Sequence, residues 1–202
     1  MAGFQLDGDG MIIVEPKVQQ RRFAGIEQGR ISDVNGIIVH QTYSRTVPFG
    51  SYSQPGANGS HFVVDKDGTI YQTASLYQRV NHVGPIKARC VLEASCTADE
   101  YKNFKTMSAK NIGLYERDKP YPQRFPSNQD SIGIELVGWA DDDPANKNGE
   151  KIYEQVTDAQ NASLQWIIDH LRDTIGKPLV EIRRHPDVAR KTPSEASSAV
   201  WK

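Results

Sequence analysis

One stretch constrains this chain more than any other: Gly36-Ile37-Ile38-Val39-His40-Gln41-Thr42, an apolar run that ends on a histidine. β-branched residues in an unbroken row, with a glycine before and polar residues after, predict a buried strand. His40 then sits where a core strand surfaces. A histidine in that place is either a ligand or a packed core residue bonded to backbone. The rest of the chain has to decide between them.

At 202 residues the chain is long enough for one domain with a full core and one large insertion. Its 24 basic and 25 acidic residues nearly cancel, so no bulk charge draws it toward nucleic acid or a membrane surface. No apolar run approaches the roughly 18 residues that span a bilayer, so no membrane span is expected. The first residues lack the basic start and long apolar core of a secretory signal, so work outside the cytoplasm would need another carrier. Cys90 and Cys96 are near enough in sequence to close a small loop in an oxidising space, or to stand as two free thiols.

Taken in order, residues 11–14 form a short apolar run before Pro16 and predict an edge strand, while 17–32 show no clear periodicity. Residues 43–60 are rich in Ser, Gly, Pro and Asn, which is loop chemistry next to His40. Two β-rich runs around Asp67-Gly68 predict a hairpin over 61–72, and 79–85 carries His82 to a strand or loop end. The polar stretch 86–130 is too long for a structureless loop and reads as an insertion with its own helix near 98–110. A strand over 131–138 follows, with Glu135 inside it, and then a charged loop over 141–151. Thr157 and Gln160 form a capping box for a helix that Gly176-Lys177-Pro178 ends, with His170 beside its apolar stripe. A short strand at 179–182 runs into Arg183-Arg184-His185, and 196–202 predicts a terminal helical turn.

Three features place a metal-competent or titratable group at the end of an apolar strand: His40, Glu135, and His185 with Lys191 and Glu195 beyond it. A carboxylate in an apolar strand needs a partner, and a salt bridge to Arg183, Arg184 or Lys191 is as good an account of Glu135 as catalysis. Two histidines from distant strands and one carboxylate make a three-ligand zinc site with an open fourth position, as hydrolytic zinc requires. In such a site Glu195 suits the ligand, and Glu135 suits the base that takes the proton of water.

Five blocks then occur in a telling order: Ile38 to Thr42, Ser60 to Gln72, Asn81 to Gly84, Ser131 to Gly138, and His185 to Lys191. In these the chain resembles the amidase type 2 family of zinc-dependent N-acetylmuramoyl-L-alanine amidases, from about residue 34 to 196. The resemblance implies an α/β (α+β) single domain, a central mixed β-sheet flanked by helices with a zinc groove at the end of the sheet. It divides the chain into an N-terminal extension, 1–33, and a catalytic domain, 34–202, with the insertion at about 86–130. Zn²⁺ would be held by His40 and His185, with Glu135 as general base and Lys191 stabilising the oxyanion. His82, Thr42, Asn81 and His61 would contact substrate. The family's third ligand is an aspartate or cysteine just after that lysine, where this chain has Thr192 and Pro193; Glu195 takes the role here, with Asp187 or water as the alternative.

The activity so implied is cleavage of the amide between N-acetylmuramic acid and the L-alanine of the stem peptide, with peptidoglycan or a muropeptide as partner. The alternative is a non-catalytic muropeptide-binding module of the same fold. A delivered antibacterial effector, made in the cytoplasm, acting in a target cell's periplasm and matched by an inhibitory immunity protein, is the expected setting; a phage endolysin or a cytoplasmic recycling enzyme are the others.

Overall fold

The computed structural model describes residues 2–31, 33–146, 150–176 and 181–202. In chain order the strands are β1 (Gln5–Leu6), β2 (Ile12–Ile13), β3 (Val18–Gln20), β4 (Glu27–Arg30), β5 (Gly36–Gln41), β6 (Phe62–Val64), β7 (Ile70–Gln72), β8 (Gln78–Val80), β9 (Ser131–Leu136), β10 (Ala140–Asp142), β11 (Lys151–Tyr153) and β12 (Glu181–Arg184). The helices are α1 (Phe49–Tyr52), α2 (Arg89–Leu92), α3 (Ala98–Phe104), α4 (Ala109–Arg117), α5 (Asp158–Ile175) and α6 (His185–Val188).

A six-stranded mixed sheet in the order β12-β5-β9-β6-β7-β3 organises the molecule. β5 runs parallel to both β12 and β9, β9 parallel to β6, and β6 and β7 form the antiparallel hairpin expected around Asp67-Gly68. Gly68 takes a φ of 86°, the left-handed turn conformation that glycine enters without a Cβ clash. Alternation along the strands sorts side chains onto two faces. Ile37, Val39, Ile132, Ile134, Leu136, Phe62 and Val64 pack with Leu164, Ile167, Ile168 and Leu171 of α5. Ile38 lies on the opposite face with Val83, Phe125 and Val188, and His40 and Glu135 share that face farther along.

α5 begins on the expected capping box, with the Thr157 hydroxyl accepting from the Gln160 amide and the Gln160 side chain from the Thr157 amide. It ends on Gly176 in the left-handed conformation. His170 is structural, its ring against Trp166 and Phe4 and its Nδ1 bonded to the Trp166 carbonyl.

Several expectations are refined. The stretch 17–32, given no firm structure, supplies β3 at the sheet edge and β4, which pairs with β8; tertiary pairing creates strands where periodicity is absent. The insertion holds three short helices rather than one over 98–110, because Thr97 and Ser108 each cap a new start. Cys90 and Cys96 are disulfide-bonded across the start of this insertion. The loop over 141–151 contains the ends of a β10–β11 ribbon, with 147–149 outside the described residues. The strand expected at 179–182 is described from Glu181, with 177–180 outside the described residues, and of residues 196–202 only 196–198 lie in a turn, with no helix.

Candidate active site

β5 and β9 align His40 opposite Glu135 in register. β12, parallel to β5 on its other side, ends at Arg184, so His185 emerges beside His40 as the first residue of α6. The rings meet with Nδ1 atoms 2.9 Å apart. Glu195 arrives from the C-terminal loop, its Oε1 3.0 Å from His185 Nδ1 and 3.6 Å from His40 Nδ1. All three side chains are buried, at 3%, 2% and 4% exposure, so a carboxylate and two lone-pair donors have left water together. The loop carrying Glu195 is pinned at Ala196, whose N–H donates to Gln41 Oε1 and whose carbonyl accepts from Arg184 Nε.

A hydrogen-bond chain fixes the tautomer of His40. The Ser131 hydroxyl donates to the Ser127 carbonyl at 2.6 Å and so accepts from His82 Nε2–H at 3.2 Å. His82 Nδ1 is then an acceptor, and it takes the proton of His40 Nε2–H at 3.0 Å. His40 Nδ1 is left as a lone pair aimed at His185 Nδ1. Gly133 makes room for this arrangement, because a Cβ there would lie 2.8 Å from the His82 ring.

The donor set fits a metal ion. Bond lengths of about 2.0–2.1 Å in a tetrahedron put neighbouring donors about 3.3 Å apart, and the three observed separations bracket that value. Two ring nitrogens and a carboxylate oxygen facing one point are also the donor types that a divalent cation such as zinc takes. Burial, together with neighbouring His185, pushes His40 down to about 4, so the ring is neutral and free to ligate. Burial would raise the Glu195 carboxyl, but the hydrogen bond from His185 and the neighbouring His40 ring outweigh it and hold the group at about 2.

Glu135 faces this triad without belonging to it. The Tyr52 hydroxyl donates to its Oε2 at 2.5 Å, and among the described residues no ion pair to Arg183, Arg184 or Lys191 forms. Burial pushes the Glu135 carboxyl up to about 7, with the Tyr52 hydrogen bond opposing and the charge of Glu195 adding to the rise. A carboxyl held near neutrality can both accept and return a proton. Tyr52 also contacts Ser60 Oγ at 3.2 Å, and Ser60 donates to the Phe62 carbonyl.

The triad and Glu135 line a cleft of about 670 Å³ together with Thr42, Asn81, His82 and Lys191. Lys191 is exposed, and its charge favours ionised Glu135 while disfavouring protonated His40. Thr42 Oγ1 accepts from the amides of Ser44 and Gly138. His61 stands apart: it is fully buried, Nδ1 accepts from the Gly133 amide and Nε2 donates to the Gln78 carbonyl, so it clamps strands and does not line the cleft. Asp187 is exposed and accepts from the Arg184 amide, away from the donor set.

A sequence model of one family, Amidase_2, described as N-acetylmuramoyl-L-alanine amidase, matches residues 30–196. The chain belongs to this amidase family. Hydrolysis of an amide bond in peptidoglycan is the activity that membership carries. Solved amidases share the fold. The endolysin amidase LysCS from Clostridium intestinale URNW is 17% identical, with 87% of this chain and 85% of that chain covered at a TM-score of 0.51. A selenomethionine derivative of AmpD is 18% identical, with 94% and 93% covered at a TM-score of 0.55. No curated protein matches the chain in sequence.

Tyr52 and Gln41 are the residues of this amidase that sequence reasoning missed. The only signal for Tyr52 is a large aromatic residue set in a Ser-, Gly- and Pro-rich loop. Gln41 hid in plain view as the polar tail of the β5 run.

Proposed function

We propose that this amidase is a zinc hydrolase cutting between the lactyl group of N-acetylmuramic acid and the L-alanine that begins the stem peptide. The convergence of His40 Nδ1, His185 Nδ1 and Glu195 Oε1 on one point, with Glu135 facing it, carries the reading. Zinc, when bound by these three residues, would supply Lewis-acid polarisation of the scissile carbonyl and a more acidic water. Glu135 takes a proton from the attacking water as the C–O bond forms. It then gives that proton to the nitrogen of L-alanine as the C–N bond breaks, leaving a free amino group and a muramoyl carboxylate. Tyr52 holds the Glu135 carboxylate in place, and Lys191 supplies positive charge toward the developing oxyanion. His82 keeps His40 in the ligating tautomer.

Digestion of purified peptidoglycan tests this directly. New L-alanine amino termini and peptide-free muramoyl products should appear with zinc-loaded protein and stop when a chelator strips the metal. Cleavage at another bond, or cleavage indifferent to chelation, overturns the assignment. The complete donor set and the poised Glu135 favour the enzyme over a non-catalytic muropeptide binder of this fold.

The Cys90–Cys96 pairing supports action in an oxidising space outside a reducing cytoplasm. A delivered antibacterial effector held in check by an immunity protein, and a phage endolysin, both meet that condition, whereas a cytoplasmic recycling enzyme does not. Among the described residues no helix is long and apolar enough to cross a membrane.

A further inference from the structure

The cleft has two chemically different ends. Glu135 of β9 lies between them, and the six residues of that strand span roughly 20 Å. Beyond the N-terminal end of β9, Asn81, Val83, Gly84 and Asn128 continue the cleft into a groove lined by Arg79, Lys110 and Arg117. Past its C-terminal end stand three aromatic residues. Tyr43 and Trp139 stack with ring centroids 4.9 Å apart and planes at 18°, and Tyr153 meets Tyr43 edge-on at 6.3 Å. Tyr43 and Tyr153 line the same cleft as His40 and Glu135.

This aromatic group carries features that core packing does not explain. Tyr43 is 43% exposed and holds a φ of 53°, a conformation uncommon for any residue with a side chain. The Arg45 guanidinium lies 4.8 Å from the Trp139 ring centre and the Lys151 ammonium, which also pairs with Asp142, 5.5 Å from that of Tyr43, while Trp139 Nε1 donates to Asp141, so charged hydrogen-bonding groups border the rings. The Tyr153 hydroxyl has no hydrogen-bond partner among the described residues, and burial together with the nearby Glu195 and Glu135 carboxylates keeps it protonated as a donor.

We propose that Tyr43, Trp139 and Tyr153 form the saccharide subsite, taking the apolar face of the N-acetylmuramic acid pyranose. The assignment rests on the amidase reading of the neighbouring cleft. One carbon separates the ether oxygen on the sugar from the scissile carbonyl, so the sugar must lie next to the donor triad, at one end of the cleft or the other. A pyranose presents axial C–H groups that suit the electron-rich face of an aromatic ring, and hydroxyl and acetamido oxygens that accept from Lys151, Arg45 and Tyr153. The stem peptide carries carboxylates instead, which suit the end holding Arg79, Lys110 and Arg117. The chemistry of the two ends therefore orients the substrate: sugar past the C-terminal end of β9, peptide past its N-terminal end.

The test titrates the protein with N-acetylglucosaminyl-N-acetylmuramic acid, which carries no peptide, and follows tryptophan emission. Saturable binding is expected, weaker by about tenfold (about 1.4 kcal/mol) in Tyr43→Ala, and near wild type in Tyr43→Phe. Trp139→Phe should remove the signal although Trp166 and Trp201 remain. A kinetic arm compares kcat/KM for a muramoyl peptide with that for the same peptide bearing only a lactyl group, and Tyr43→Ala should lower their ratio about tenfold. Disaccharide binding that is absent, or indifferent to Tyr43→Ala, overturns the subsite, as does an equal fall on both substrates. Binding through Tyr43 without any release of L-alanine termini would instead retire the amidase reading and leave the saccharide site standing.

Discussion

His40 and Glu135 occupy paired positions on adjacent parallel strands, so the proposed metal ligand and the proposed base project from the same face of the sheet. Neither needs a flexible loop to reach the other. The rigid pair is completed by His185 at the end of the next strand, and only Glu195 depends on a loop, which Gln41 and Arg184 fasten.

Replacing Glu135 separates metal binding from chemistry. Glu135→Gln should keep the zinc content of the wild type while turnover on peptidoglycan falls by about 10²–10⁴. Metal analysis beside a rate assay checks this, and full turnover in the variant would strip Glu135 of its role.

The acid limb of the pH profile follows from the same carboxyl. With Glu135 pushed up to about 7, kcat/KM should fall about tenfold per pH unit below that value, because the base must be ionised. The Tyr52 hydrogen bond holds the group down, so Tyr52→Phe should move the limb to higher pH; a limb that stays fixed would point to a different titrating group.

Stability carries the opposite signature. The folded protein holds a proton on Glu135 above its ordinary value of 4.5, so this group's contribution declines as pH rises from about 4.5 toward 7. Metal-free Glu135→Gln should match the wild type near pH 4 and exceed it above pH 7, by at most about 3 kcal/mol. Urea unfolding at the two pH values measures the difference.

In the proposed zinc site His82 would act on the metal through its hydrogen bond to His40. His82→Leu removes the acceptor for His40 Nε2–H and should weaken zinc binding by about 10–100-fold, read by competition with a chelating dye. His82→Gln, which restores an acceptor, should recover part of the loss. Unchanged affinity in the leucine variant would show that the Ser131–His82–His40 chain has no bearing on ligation.

The disulfide should act on stability rather than on the chemistry. It closes a short loop at the start of the insertion, for which chain entropy predicts about 2 kcal/mol. Changing both Cys90 and Cys96 to serine should lower the unfolding free energy measured in urea by that amount and leave zinc content intact. Loss of the metal would tie the insertion to the site more closely than the contacts indicate.

The sequence by itself determined the pieces whose physics is local. The β5 run, the Asp67-Gly68 turn and the Thr157–Gln160 capping box each follow from neighbouring residues, and the ordered motifs were enough to single out His40, His185 and Glu135, while Glu195 was chosen only by its sequence distance from His185, with Asp187 left open. Tertiary structure decided what depends on residues distant in the chain. β3 and β4 exist because the sheet edge and β8 offer partners. Tyr52 reaches Glu135 from a loop without periodicity, and the tautomer of His40 is set by Ser131 through His82. His61 sat in a family motif beside the strand yet turned away from the cleft, because alternation and the free backbone groups of Gly133 and Gln78 claimed both its nitrogens. Local pattern fixes which backbone a segment adopts, but which polar atoms meet depends on strand order and register, and those emerge only when the whole sheet is assembled.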